Sequence, residues 1–242
     1  MTTAKINKVR KSVGKKQLLI SASMELEKGE ICALIGPNGA GKTSLLKIIM
    51  GLIKPDYGDV SIFNNTYSSY TRKEILKKIG LVLQFPQEVL KMSVRDIYQE
   101  HFLYLGVFPE ITVEEMLHDL GLEVSPDERP INFSLGMKQR LLLGLALSHH
   151  PEVIILDEPF NGLDADGIVL MKKILVDYAS EAHTVLITSH SLKELQDIVH
   201  TVIFMKEGKT QEKVDMATIK KNYDGDLLQF YQASKKQGDT NE

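Results

Sequence analysis

Two short runs hold most of the side chains able to do chemistry. The first is Gly36-Pro37-Asn38-Gly39-Ala40-Gly41-Lys42-Thr43, followed by Ser44: glycine, four residues, glycine, lysine and a hydroxyl residue. At this spacing the glycines let successive backbone N–H groups turn inward around a phosphate, and a following helix presents its positive end to the same anion. Lys42 then reaches the terminal phosphates as a point charge, and Thr43 offers its hydroxyl to Mg²⁺. The second run is Val153-Ile154-Ile155-Leu156-Asp157-Glu158, a buried-strand pattern that ends in two carboxylates. Ligand sites in parallel sheets lie at the carboxyl ends of strands. Asp157 is placed to hold a Mg²⁺-bound water, and Glu158 to accept the proton of a water attacking a γ-phosphate. Acidic residues at a strand end also serve as helix caps; the phosphate-binding run tips the reading toward chemistry. The expected ligands are ATP and Mg²⁺, and the expected reaction is hydrolysis of ATP to ADP and phosphate.

The elements that must position these runs are legible around them. Ile31–Ile35 reads as a strand, Gly36–Gly41 as a glycine-rich turn and Ser44–Met50 as a helix closed by Gly51. Pro55-Asp56-Tyr57-Gly58 marks a turn, with strands expected over Val60–Phe63 and Ile79–Leu83. Between Phe85 and His150 the spacing becomes helical, over Val94–Leu105, Val113–Leu120 and Ser134–Ser148. Strand signals return at Val153–Leu156, Val185–Thr188 and Val202–Met205, alternating with helical stretches at Gly167–Ala179 and Ser191–His200. Alternation of this kind implies an α/β fold with a parallel sheet covered on both faces. The stretch from Ser234 to Glu242 is polar and reads as a frayed tail.

Composition narrows the class. The 242 residues are 43% hydrophobic, enough for one large domain or a domain carrying an inserted lobe. A net charge of -3 gives no general affinity for nucleic acid or acidic lipid, and the basic crowd Lys5, Lys8, Arg10, Lys11, Lys15 and Lys16 reads as a solvated face. The single cysteine, Cys32, lies in an apolar run, has no internal disulfide partner and fits a reducing cytosol. No apolar run approaches the roughly 18 residues of a membrane span, so any membrane role is expected to need a partner chain.

From about Ile6 to Lys209 the order of motifs resembles the nucleotide-binding subunits of ABC transporters. The resemblance implies a P-loop NTPase with a RecA-like parallel sheet core (1–84 and 151–220), an N-terminal antiparallel β region, an inserted helical subdomain (85–150) and a C-terminal tail (221–242), all in a single ABC ATPase domain. Gln84, in Leu83-Gln84-Phe85-Pro86-Gln87, resembles the family glutamine that contacts Mg²⁺ and the attacking water. Phe133-Ser134-Leu135-Gly136-Met137-Lys138-Gln139-Arg140 is similar to the family signature, usually Leu-Ser-Gly-Gly-Gln, and departs from it at Phe133, Leu135 and Met137. Ser134 keeps a hydroxyl and Gly136 an approachable N–H. In this family the signature of one subunit closes over ATP held by the other, which implies a head-to-tail dimer of ATPase subunits, alike or different. Asp164, in Asn161-Gly162-Leu163-Asp164, resembles the loop linking the two sites, and His190 the switch histidine that reaches the γ-phosphate. Val13 stands where the family offers an aromatic residue to stack on adenine, so discrimination between ATP and GTP is expected to be weak.

The resemblance further implies a separately encoded transmembrane permease, no nucleic-acid partner, and a place on the cytoplasmic face of a bacterial membrane held only through that permease. Ser-Leu-Gly-Met-Lys-Gln-Arg and Glu-Pro-Phe-Asn-Gly-Leu-Asp resemble bacterial exporters of the bacitracin and lantibiotic self-protection type, implying export of a drug, peptide or similar substrate. Leu81–Pro86 instead resembles importers of the energy-coupling-factor type. Soluble ABC proteins of translation and DNA repair are a third reading, but neither a second cassette nor an inserted coiled coil is present.

Overall fold

The computed structural model describes residues 1–66 and 72–238. Strand β1 (Thr2–Val13) turns through Gly14-Lys15 into β2 (Lys16–Glu27), and the two pair antiparallel as far as Val13 opposite Lys16. Next come β3 (Ile31–Ile35), α1 (Lys42–Ile49), β4 (Tyr57–Ile62) and the short β5 (Asn65–Thr66). After α2 (Arg72–Lys77) and β6 (Ile79–Val82) the chain leaves the sheet for α3 (Val94–Leu105), α4 (Val113–Asp119) and α5 (Leu135–Leu147). It returns in β7 (Val153–Asp157), α6 (Ala165–Ser180), β8 (Thr184–Ser189) and β9 (Thr201–Lys206). Strands β10 (Lys209–Thr210) and β11 (Val214–Asp215) precede α7 (Met216–Tyr223) and α8 (Leu227–Gly238).

The sheet runs β5-β4-β1-β2-β10-β9-β3-β8-β7-β6. Its β9-β3-β8-β7-β6 portion is parallel, and β2-β1-β4-β5 is antiparallel. The parallel strands are mostly apolar along their middles because both faces are covered. Alternate residues go to opposite sides: Ala33, Ile154, Leu156 and Ile187 join one cluster, while Cys32, Leu34, Ile155 and Leu186 join another. The first packs against α3 to α8, the second against α1 and the antiparallel strands. Burial pushes the Cys32 thiol up to about 12, so this side chain is a packed apolar group and not a nucleophile.

The lobe of helices after β6 is built from local signals. Ser93 caps α3 by accepting the Asp96 N–H, and Gly106, at φ 67°, ends it. Thr112 and Glu115 form a reciprocal capping box on α4, and Ser134 caps α5. Helix α3 has the bounds its spacing predicts.

One expected helix is absent. Ser191–His200 carries helical spacing, and Leu195, Ile198 and Val199 are buried, yet the segment is a series of turns. Ser189 Oγ accepts the Ser191 N–H at 2.9 Å and donates to the Ser191 carbonyl, a local pairing that competes with a first helical turn. At the other end the Ile31 N–H donates to His200 Nδ1 at 2.8 Å and the His200 N–H to the Ile31 carbonyl, which fastens the segment to β3. The polar tail expected from Ser234 begins within α8, and its last four residues lie outside the described residues. No helix among the described residues is long and apolar enough to cross a membrane.

Within the helical lobe, α3 and the end of α5 meet at a histidine pair. His101 of α3 and His149, just after α5, approach to 3.2 Å between Nε2 and Nδ1, a bond that needs one neutral ring to donate and the other to accept. Burial first, then His149, pushes His101 down to about 4 from its ordinary 6.5, and burial lowers His149 as well. The unfolded chain therefore takes up the His101 proton before the folded chain does, so stability from this pair is present above pH 6.5 and is lost as pH falls toward 4. Urea unfolding midpoints should fall across this window in the parent, and His101→Leu should flatten that part of the profile.

Candidate functional site

The site forms where β3, β7 and β8 end side by side. Their register places Leu156 opposite Ile187 and Asp157 opposite Thr188, with β3 on the other side of β8. Beyond β3 the glycine-rich run turns through Gly39 at φ 80° and Gly41 at φ 109°. Gly41 is the N-cap of α1 and supplies no side-chain bond, so the first N–H groups of the helix remain available to an anion. Helix α1 starts at Lys42, two residues before the expected Ser44, because Lys42 and Thr43 already lie in its first turn.

Lys42 is buried, and its ammonium donates to the Gly36 carbonyl at 2.7 Å and the Pro37 carbonyl at 3.4 Å. It also lies 3.7 Å from Glu158 Oε1. Thr43 Oγ1 donates to Asp157 Oδ2 at 2.9 Å, and Thr188 Oγ1 donates to Asp157 Oδ1. One carboxylate thus joins α1, β7 and β8.

Glu158 has a φ of 53°, a left-handed backbone uncommon for a residue with a side chain and costing on the order of 1–2 kcal/mol. Its N–H donates to the Thr188 carbonyl at 3.1 Å and lies 3.2 Å from Thr188 Oγ1, which holds that conformation. Its carboxylate receives His190: Nδ1 lies 2.8 Å from Oε2, and the His190 N–H donates to the same oxygen at 3.3 Å. Lys42 and His190 therefore flank opposite oxygens of one carboxylate. His190 also borders a cavity of about 560 Å³ lined by Ser191–Lys193, Gln196, the connection Asp224–Asp226 and α8.

A cavity of about 300 Å³ is lined by Pro37, Asn38, Gly39, Ala40, Gly41, Lys42, Thr43, Ser44, Asp157 and Glu158. Lys16, Gln17 and Leu18 of β2 complete its wall. These three were not foreseen; the only hint was their place just after the Gly14-Lys15 turn. Thr188 was not foreseen either, although it stands two residues before His190.

Other expected site residues are spread more widely. Val13, opposite Lys16 at the hairpin end, is 59% exposed and does not line the cavity. Gln84 lies two residues beyond β6 at the same end of the sheet as Asp157, exposed and outside the cavity wall. Ser134, Leu135, Gly136 and Met137 open α5, away from that wall. Ser134 Oγ accepts the Met137 N–H at 3.1 Å, as an ordinary N-cap does, and its own O–H is still free to donate. Asp164 caps α6 by accepting the Gly167 N–H at 2.9 Å.

The arrangement fits a triphosphate with its cation. Thr43 and Asp157 are oxygen donors in direct contact, the ligand type Mg²⁺ takes while keeping several waters. The buried Lys42 ammonium, bonded only to carbonyls of its own loop and near Glu158, is a cation that phosphate oxygens would hold more strongly than a neutral carbonyl does.

Comparison with known proteins agrees with this geometry. Residues 19–161 match the family model described as ABC transporter. The chain is 38% identical over 222 residues to the lantibiotic transport ATP-binding protein SrtF of Streptococcus pyogenes, covering 91% of each chain. It is 34% identical over 221 residues to the bacitracin transport ATP-binding protein BcrA of Bacillus licheniformis, covering 91% of this chain and 72% of that one. Among solved structures, an ATP-binding subunit of an ABC transporter superposes with a TM-score of 0.82 at 22% identity, covering 91% of this chain and 93% of that one. A dimeric ATP-binding cassette bound to ADP and phosphate superposes at 0.73 with 25% identity, covering 88% and 98%. With the phosphate loop, the paired carboxylates and a match across more than half its length, this chain belongs to the ABC transporter family and is an ATP-binding, ATP-hydrolysing subunit of a membrane transporter.

Proposed function

We propose that this ATPase powers export of a peptide or drug-like substrate through a separately encoded membrane-spanning permease, working as one of two ATPase subunits that close head to tail over ATP. The observation that carries the site assignment is the continuous set of contacts Thr43–Asp157–Thr188 and Lys42–Glu158–His190, which puts a metal-binding pair beside a carboxylate held by two cationic or donor groups. The resemblance to lantibiotic and bacitracin transport proteins supports export.

In this reading Lys42 exchanges its loop carbonyls for the terminal phosphates, and the first N–H groups of α1 hold the phosphate chain. Thr43 and Asp157, with Gln84 closing from the end of β6, would hold Mg²⁺, which would supply positive charge against that developing in transfer. Glu158 accepts the proton of the attacking water, and His190 fixes the carboxylate and turns toward the γ-phosphate. Ser134 and the Gly136 N–H face the nucleotide of the opposing subunit, and Asp164 lies at the junction of the two sites.

The permease contact is assigned to the segment Phe85–Ser93, which leads into α3, and to an apolar patch at the opposite, C-terminal end of that helix. Leu103 and Phe108 are 73% and 90% exposed there, with Tyr104 between them and Glu100 and Glu110 alongside. Cytoplasmic loops of membrane proteins are rich in Lys and Arg, so an apolar patch with an acidic rim suits such a loop. Phe108→Asp should leave the ATPase rate of the purified chain unchanged and release the protein from membranes containing the permease, read by co-sedimentation. Retention on the membranes would refute the assignment.

On the base, Val13 offers no ring for stacking, so the site holds nucleotide mainly by its phosphates. GTP should compete with ATP at comparable concentration in a displacement titration, and Val13→Tyr should favour ATP by about 1 kcal/mol. On the chemistry, Glu158→Gln should lower turnover by about 10²–10⁴-fold with ATP still bound, because the amide keeps the shape and cannot take the proton. Lys42→Ala should instead weaken ATP binding itself. The Glu158→Gln protein should accumulate as an ATP-bound dimer on size exclusion, and adding Ser134→Arg should dissociate it; turnover within a few-fold of the parent would remove Glu158 from the role of base.

A further inference from the structure

Leu135 occupies a position where the family pattern has glycine, and it stands 56% exposed in the first turn of α5. Its contact is with the loop that follows Glu158. A Cβ added to Gly162 would lie 2.4 Å from Leu135 Cδ2, 2.5 Å from Cγ and 2.9 Å from Cβ. Gly162 also has a φ of 77°, so both its backbone and its missing side chain belong to this fit.

The contact is two-sided. A Cβ on Gly136 would lie 2.8 Å from the Gly162 carbonyl oxygen and 3.4 Å from Leu163 Cδ2. A Cβ on Gly167 would lie 3.3 Å from the same Cδ2. Small residues on α5 and α6 thus both pack against Leu163. The loop itself is internally bonded: the Asn161 N–H donates to the Glu158 carbonyl and the Leu163 N–H to the Phe160 carbonyl, and Phe160 is buried in the core. Its first residue is the carboxylate that faces Lys42 and His190, and it ends at the Asp164 cap of α6. The fit lies at the surface, yet Leu135 sits so close to Gly162 that neither segment can shift toward the other without a clash.

We propose that Leu135 is a positioning residue: by seating on Gly162 it makes the start of α5 and the Glu158–Asp164 loop move as one unit, so that the surface serving a second subunit's nucleotide is tied to the chain's own carboxylate. The inference rests on the reading of Ser134–Met137 as the surface that meets the opposing nucleotide. A glycine at 135 makes no such contact, and any side chain at 162 prevents it.

The test is steady-state ATP hydrolysis by the full chain, with equilibrium binding of a fluorescent ATP analogue measured in parallel. Gly162→Ala should lower kcat about tenfold while KM and analogue affinity stay within about threefold. Leu135→Gly should lower kcat by a smaller factor, about threefold, and the double variant should fall between the two single variants, since the added methyl group then has room while the left-handed backbone at 162 still disfavours a side chain. Urea unfolding of each variant, run in parallel, separates rescue of kcat in the folded protein from rescue of stability. If Gly162→Ala does not fold, Leu135→Gly alone decides, through a kcat loss at unchanged KM. Parental kcat in the folded single variants, or a double variant no better than Gly162→Ala, overturns the proposal. Ser134→Arg separates the two levels: parental turnover in that protein defeats the signature reading itself, whereas an inactive Ser134→Arg protein with no rescue in the double variant defeats only the role of Leu135.

Discussion

The Asp157 carboxylate is the point on which the rest of the site depends. One oxygen receives the Thr43 hydroxyl from the start of α1 and the other the Thr188 hydroxyl from the end of β8. Three segments far apart in sequence are thereby held at the carboxyl edge of the sheet. Hydrogen bonds to a charged acceptor are each worth about 1.5–3 kcal/mol, and here they also set where the next residue can go. Glu158 follows directly in a left-handed conformation, kept by two contacts from its N–H to Thr188. Strain of this kind persists only where the surroundings over-determine it, and β8 supplies the constraint.

The same edge explains how a lysine can be buried in a cavity wall. Lys42 is surrounded by the carbonyls of Gly36 and Pro37 and by the Glu158 carboxylate, partners that offset the cost of withdrawing an ammonium from water. All three are replaceable. A phosphate offers stronger charge-assisted bonds than a carbonyl, and its arrival would free Glu158 from Lys42 while leaving it bound to His190. One ammonium thus links the phosphate loop to the Glu158 carboxylate.

The apolar side chains around Ser134 are accommodated by packing and not by polar exchange. Met137 is partly buried against the main cluster, Phe133 is in it, and Leu135 rests on Gly162. What an anion needs at a helix start, a free O–H and an accessible N–H, is untouched by these apolar side chains because both come from Ser134 and the backbone.

The sequence by itself determined whatever depends on neighbours along the chain. The glycine spacing of 36–41 specifies the phosphate loop, the apolar runs ending at Ile35 and Asp157 specify strands buried on both faces, and Ser93, Thr112 and Ser134 specify where helices begin. Tertiary structure alone decided what depends on register between strands or on contacts across the lobe. Thr188 became part of the site because β8 pairs with β7 so that it stands beside Asp157. Lys16, Gln17 and Leu18 entered the cavity wall because the hairpin folds over the phosphate loop, while Val13 stayed outside it. Ser191–His200 has the spacing of a helix, but the local bond between Ser189 and Ser191 and the fastening of His200 to Ile31 outweighed a weak propensity. The bond between His101 and His149 and the seat of Leu135 on Gly162 join residues 48 and 27 positions apart, and no local pattern encodes such pairs because packing of whole elements brings them together.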